Sequence, residues 1–386
     1  MTSYPRLFIG IAASSGSSGQ ISQITLPLIV GATLVGLGLD EQGAGLLSSV
    51  ELVTVALVAF AIAPKMGVWP RRRIALGGAG IAILAHAFST MAPLLVPLVA
   101  ARVMAGVGAG MMVAAGNACI ANAENPDRLA SLVIVWTGFI HLVTLNLMPI
   151  FVEQWSYVGA YGFEAAFIAL MLPLMFLLPQ HALDGGGRES HQDRFPLGAA
   201  LAVVVIVGIF FARETALWAF SQQIGLRTGL TNQQVGTVLG LTGALGLMGA
   251  ALAAMISTRY GRMKPMMIGL FLNAVLSFWI SQTSDPVIFA VTEVVYHAAL
   301  FFTVPYLFGM AAELDRHGRL VAMAGGSILL GGSLGPAIGG ALISWQGYPA
   351  IGGFIIAAMT VVTIFAWRLQ RRLEDEPESL RASNQG

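Results

Sequence analysis

Charge is what this 386-residue sequence has least of: 10% of its residues are charged, 56% are hydrophobic, and the mean hydropathy is +0.78. A water-soluble domain carries roughly 25% charged residues, so water cannot be the solvent for most of this surface, and lipid must be. A net charge of +1 gives no electrostatic case for a nucleic-acid partner. The one cysteine, Cys119, excludes an intramolecular disulfide. Six scattered histidines and a solitary cysteine form no metal-ligand pattern, and no phosphate-cradling loop is present. No enzyme, no ATP-driven pump and no resident cofactor or metal is therefore expected. A cleavable signal peptide is not expected either. The run after Arg6 is long and carries Ser14, Ser15, Ser17, Ser18, Gln20 and Gln23, whereas a signal core is short and uniformly apolar.

What the chain has in abundance is apolar runs near the roughly 20 residues that span a bilayer. Twelve can be placed, over 7–36, 42–63, 73–92, 94–122, 129–151, 157–178, 197–223, 234–257, 265–282, 286–311, 320–343 and 348–368. The longest polar interruption, HALDGGGRESHQDRF (181–195), is expected to be a cytoplasmic linker. The expected organisation is a six-helix unit over 1–180, a linker over 181–196, a second six-helix unit over 197–370 and a cytoplasmic tail over 371–386. With the N-terminus inside, 17 of the 20 Lys and Arg residues fall on the cytoplasmic side. Arg227 alone falls outside, and Arg102 and Arg213 lie within spans. Basic residues mark the cytoplasmic face, so both termini are expected there, in the inner membrane.

Sliding the sequence by 191 residues superimposes its halves without gaps. Gly38-Leu39 falls on Gly229-Leu230, Gln42 on Gln233, Arg71 and Arg73 on Arg262 and Lys264, Arg128-Leu129 on Arg319-Leu320, and Tyr157 and Gly162-Phe163 on Tyr348 and Gly353-Phe354. These identities sit at loops and helix ends, where chance apolar matches count least. Two parallel six-helix repeats follow, of the kind that rock about a site near the midplane.

The loop after the second span, APKMGVWPRRRIALGG (63–78), and its repeat mate STRYGRMK (257–264) resemble the signature loop of the major facilitator superfamily. The second copy keeps Arg259, Gly261 and Arg262, and the first keeps the cluster Arg71, Arg72 and Arg73. Both lack the family's aspartate, replaced by Gly67 and Thr258, so the cytoplasmic latch it supplies is not implied. RVMAGVGAG (102–110) resembles the family's helix-4 arginine element with Ala105 in place of glutamine, and GGSLGPAIGG (331–340) carries Gly335-Pro336 in the pattern common in helix 11. The fifth span lacks a Gly-Pro pair, which weighs against the drug-proton antiporters. The resemblance covers about residues 6–370 and implies an all-α membrane protein of twelve transmembrane helices in two parallel-repeat bundles.

Charges at membrane depth are costly and usually face inward, in pairs or at functional sites. Arg102 and its repeat mate Glu293 are expected to face a common cavity as an ion pair or shared network, the family's helix-4 arginine being often tied to proton coupling. A static pair tying helices together is the bland reading. Glu51, whose mate is Thr242, looks isolated, and an unpaired acid at that depth could be held neutral and carry a proton. Glu214, following Arg213, is read as a substrate or proton site, with an internal salt bridge as the alternative. His297 follows Glu293 by four positions and so shares its helical face; the two could share a proton, although a packed histidine is as simple an explanation. His86 and His141 show no partners and are read as structural, and Glu164 as an interfacial or capping residue. Gln20, Gln23, Asn117, Asn146, Phe211, Trp218, Gln222, Tyr296 and Tyr306, with Arg213, are the candidate cavity lining.

The function expected is secondary active transport by alternating access, coupled to protons, of a small organic solute with aromatic or amphipathic character. The rival readings are an uncoupled uniporter and a non-transporting receptor on the same fold. A monomer in the lipid bilayer is expected, with the solute and protons as its other partners.

Overall fold

The computed structural model describes residues 4–92, 94–181, 197–257, 259–314 and 319–375. All but the first residue of the expected linker, together with Thr258 and the end of the tail, lies outside them. Ten stretches are long and apolar enough to cross a membrane. One of these, Pro126–Met175, has 50 residues, more than two bilayer widths at about 1.5 Å per residue. It breaks at Ser156 (φ 52°, ψ −134°), which makes two crossings of it. Arg71–Ser89 supplies the remaining crossing; its 19 residues start with three arginines.

The described residues therefore form twelve membrane helices. They are α1 (Tyr4–Leu37), α2 (Glu41–Ile62), α3 (Arg71–Ser89), α4 (Leu95–Ala121), α5 and α6 (before and after Ser156 in Pro126–Met175), α7 (Leu197–Trp218, continued by Ser221–Arg227), α8 (Asn232–Ile256), α9 (Met263–Gln282), α10 (Pro286–Leu314), α11 (Arg319–Gln346) and α12 (Pro349–Asp375). They make two parallel-repeat six-helix bundles. The bundles meet where α2 runs along α11 and α5 along α8.

The repeat is written into the backbone as well as the sequence. Gly38 and Gly229, which match at the 191-residue offset, both take positive φ, 63° and 94°. Each ends a helix, and the next is capped two residues later by the side chain of Asp40 or Thr231. Ser156 and Gly347 are a second such pair, at φ 52° and 79°. Where the sequence predicted a loop over 152–156, one residue makes the turn. Ser156 holds there a conformation that suits glycine, at a cost of about 1–3 kcal/mol. Ser156→Gly is expected to raise the thermal unfolding midpoint of the purified protein, and Ser156→Val to lower it.

Two further interruptions fall within membrane helices. In α1 the run SSGSSG gives way to a single 3-10 turn over Ser18–Gln20, and Pro27 starts the segment Leu26–Leu37. In α7 the helix stops at Trp218 and restarts at Ser221. Broken helices in a membrane free backbone groups only where protein or a cavity can satisfy them.

Candidate functional site

A cavity of about 460 Å³ lies between the bundles at these two interruptions. Gln20 and Gln23 of α1, Asn117 of α4, Thr137 and His141 of α5, Phe211, Glu214 and Trp218 of α7, Thr242 of α8, and His297 and Phe301 of α10 contribute to its walls, among aliphatic residues. The lining continues to Ile120 and Ala130, toward the face that carries Arg71–Arg73. On the opposite face the bundles touch. The Gln42 amide donates to Ser344 Oγ at 3.0 Å, the Ala337 amide to Ser49 Oγ at 2.9 Å, and Tyr348 to Glu41 at 3.4 Å. Burial, with the Glu41 carboxylate beside it, pushes the Tyr348 hydroxyl above its ordinary range and so keeps it a donor. Arg227 lies over the same ring at 4.4 Å. The cavity thus extends toward one face, while hydrogen bonds seal the bundles together at the other.

Trp218 spans the junction. Its indole N–H donates to the Gln23 carbonyl at 3.0 Å, joining α7 to the interrupted part of α1. Its ring lies 6.4 Å from His141 of one bundle and 5.2 Å from His297 of the other. Glu214, 7% exposed, points into the same space. Among the described residues no Lys, Arg or His comes within ion-pair distance of its carboxylate. Adjacent residues on a helix project about 100° apart, and Arg213 accordingly turns into its own bundle. There it donates to Tyr296 Oη at 2.7 Å and to Asn273 Oδ1 at 3.3 Å, and packs on Phe210.

Several expectations are corrected by this geometry. Arg102 does not reach Glu293. Its guanidinium binds Glu51 at 3.0 Å inside the first bundle, contacts His86 Nδ1 at 3.3 Å, donates to Ser89 Oγ and lies 4.1 Å over Tyr161. Equal depth did not bring the mates together, because Arg102 faces α2, α3 and α6 rather than the inter-bundle axis. Glu51 is therefore paired, not isolated. His86 is not partnerless: its Nδ1 lies 3.0 Å from Glu164 Oε2, and the other oxygen of that carboxylate accepts from Thr25 at 2.7 Å. These residues form one buried polar cluster. Beside it Ser22, Ser48, Glu51, Arg102 and Tyr161 edge a void of about 10 Å³.

Glu293 is fully buried in the second bundle; among the described residues neither carboxylate oxygen accepts a hydrogen bond, the neighbouring Ser221 hydroxyl donating instead to the Leu217 carbonyl. His297 meets the backbone carbonyl of Glu293, at 2.9 Å, rather than its carboxylate. Gln222 and Asn146 sit in the sealed seam instead of the cavity. Gln222 donates to Asn232 at 3.1 Å and abuts Gly31, while the Asn146 side chain accepts from Thr237 at 2.8 Å and its backbone carbonyl from Gln233 at 3.1 Å. Tyr296 and Tyr306 face the interior of the second bundle. Arg213 likewise leaves the lining.

The loop residues divide by bundle. Arg71 is buried and donates to Met66 O and Asn122 Oδ1, both at 2.9 Å, and Arg72 to Leu178 O at 2.7 Å. Arg73 and Arg259 are exposed. Gly261 has φ 73°, and Arg262 pairs with Glu313 at 3.0 Å. Gly335 packs on Thr215 of α7, and the Pro336 carbonyl faces Gly45 of α2.

Sequence reasoning missed His141, Thr137 and Phe301 as lining residues. Thr137 and His141 are four apart and so share one helical face, which was a usable signal; nothing in the sequence told that Phe301 faces the cavity rather than lipid.

No curated protein matches the chain in sequence. Solved structures that share its fold include the nucleoside transporter NupG, 12% identical with a TM-score of 0.71, covering 96% of this chain and 100% of that one. A D-xylose-proton symporter is 15% identical, at 0.71, over 93% and 97%. A bacterial homolog of the human lysosomal transporter Spinster, in an inward-facing and unoccupied conformation, is 14% identical, at 0.68, over 96% and 96%. The family profile of the Major Facilitator Superfamily matches residues 8–314 and 203–385, and with twelve helices in two repeats around a one-sided cavity, the chain belongs to that superfamily of transporters.

Proposed function

We propose that this transporter is a proton-coupled secondary carrier of a small organic solute, working by alternating access in the inner membrane with both termini in the cytoplasm. The distribution of Lys and Arg supports that orientation, under which the open face is cytoplasmic and the conformation inward-facing. The observation that carries the coupling is Glu214: a buried carboxylate at the cavity wall, between the bundles, with no Lys, Arg or His within ion-pair distance among the described residues. Taking up a proton removes a charge that the sealed and open arrangements solvate differently, and a ligand shifts a conformational equilibrium only by such a difference. Glu293, also without an ion pair among the described residues and close to Glu214, serves as a second carrier. Glu51 and Arg102, bound to each other, act as a static element of the first bundle. A symporter of D-xylose and protons among the structural neighbours supports coupling as chemistry this fold can host.

Thiol accessibility tests the reading without knowledge of the solute. Cys119 is fully buried, and Asn117 is exposed in the cavity. In oriented vesicles Asn117→Cys is expected to react with a hydrophilic maleimide from the open face, and in a minor population from the sealed face. The ratio is expected to change with pH, and to stop changing in Glu214→Gln. A ratio indifferent to pH in the parent would leave an uncoupled uniporter; labelling confined to one face under all conditions would end the alternating-access reading.

A further inference from the structure

Charge at the cavity wall has one sign. Among the described lining residues there is one carboxylate, Glu214, and no Lys or Arg. Two arginines lie at membrane depth, and each is turned away and occupied. Arg102 is held by Glu51 and Ser89 in the first bundle, and Arg213 by Tyr296 and Asn273 in the second. An anionic solute would therefore enter a low-dielectric chamber whose described lining offers it no Lys or Arg and only the buried imidazoles of His141 and His297, while facing Glu214 and, behind the wall, Glu293. Burying an uncompensated charge is costly. For a cation the balance reverses. Glu214 is more than nine-tenths buried, aimed into the space and bound by no described residue. Trp218 and Phe211 stand one turn to either side of it on α7, and Phe301 of α10 also lines the chamber. Aromatic faces attract cations and pack against apolar bodies. Gln20, Gln23 and Asn117 offer hydrogen bonds on the facing bundle.

We infer that the substrate class is an amphipathic organic cation, an amine or quaternary centre on an aromatic or aliphatic body, with its charge at Glu214. The inference rests on the transport reading for the role of the cavity, but its test is equilibrium binding and needs no flux.

The test uses isosteric ligands that differ in charge: naphthylethylammonium, naphthylethanol and naphthylpropanoate, together with the pair tetraphenylphosphonium and tetraphenylborate. Binding to purified full-length protein is followed by thermal stabilisation and by tryptophan fluorescence. The cations are expected to bind on the order of tenfold or more tighter than the neutral or anionic members, the scale of one hydrogen bond to a charged group. Glu214→Gln, which preserves shape, is expected to erase that ratio while still binding the neutral alcohol, a result that separates lost charge from lost fold. Anions binding as tightly as cations would overturn the inference, as would a ratio unchanged by Glu214→Gln. So would the absence of binding by every member to protein whose Asn117→Cys labelling shows an open cavity. None of these results touches alternating access, which the two-sided labelling decides separately.

Discussion

Arg102→Met is expected to be the most damaging single substitution in the first bundle, with sharply reduced yield and a much lower unfolding midpoint. The guanidinium is 1% exposed and is the hub that links Glu51, His86, Ser89 and Tyr161 from α2, α3 and α6. Removing it leaves the buried Glu51 carboxylate without the one ion-pair partner it has among the described residues. Breaking a buried pair from one side costs about 3–5 kcal/mol, whereas replacing both partners by apolar groups of similar volume can be nearly neutral. The double variant Glu51→Leu/Arg102→Met should therefore recover much of the lost midpoint, measured by scanning fluorimetry in detergent. If the single variant is as stable as the parent, the cluster is not structural and Arg102 must be counted again among the transport residues. Glu293→Gln should show the contrast. It removes no ion pair among the described residues, so its folding effect should be small, and any consequence should emerge in the response to pH.

Gly45→Leu is expected to prop open the sealed face. Gly45 of α2 sits against the Pro336 carbonyl and the Gly340 Cα of α11, and Gly340 in turn sits against the Glu41 carbonyl. A Cβ at Gly45 would overlap backbone, which cannot move aside as a flexible side chain can. Overpacking costs about 1–3 kcal/mol, and here the cost falls only on the arrangement in which α2 and α11 touch at this level. The population with that face closed should drop by roughly 5-fold to 150-fold, since about 1.4 kcal/mol is a factor of ten. A cysteine at Gln42, whose amide meets Ser344 in the closed seam, reports the change as faster labelling from that face. Gly45→Ala should have a smaller effect of the same sign. Unaltered labelling in the leucine variant would mean that the seam does not open at this point.

The charges at membrane depth are of two kinds, structural and cavity-facing, and the sequence could not tell them apart. At the level of sequence Glu51, Arg102, Glu164, Glu214 and Glu293 are alike: acids or bases in apolar runs. Their partners are fixed by helix rotation, and a turn of about 100° per residue means that one position decides between the interior of a bundle and the central cavity. Arg213 and Glu214, neighbours in the chain, fall on opposite sides of that decision. His86, read as a lone packed residue, meets Glu164 far along the chain because α3 packs against α6. Gln222 and Asn146, polar and at membrane depth, looked like cavity lining but close the seam, since closure needs hydrogen bonds at the same depth as binding does.

By itself the sequence determined the solvent, the number of crossings and the internal repeat. These follow from composition, run length and offset, which are properties of the chain in order and need no knowledge of rotation. The left-handed turns at Gly38 and Gly229 lie where the repeat predicted equivalence. Tertiary structure alone decided which charges are paired, on which face the bundles are sealed together and which carboxylate among the described residues meets the cavity. Those depend on how twelve helices are rotated and tilted against one another, and packing between distant segments sets that, because an apolar helix in lipid has no solvent-driven reason to prefer one face.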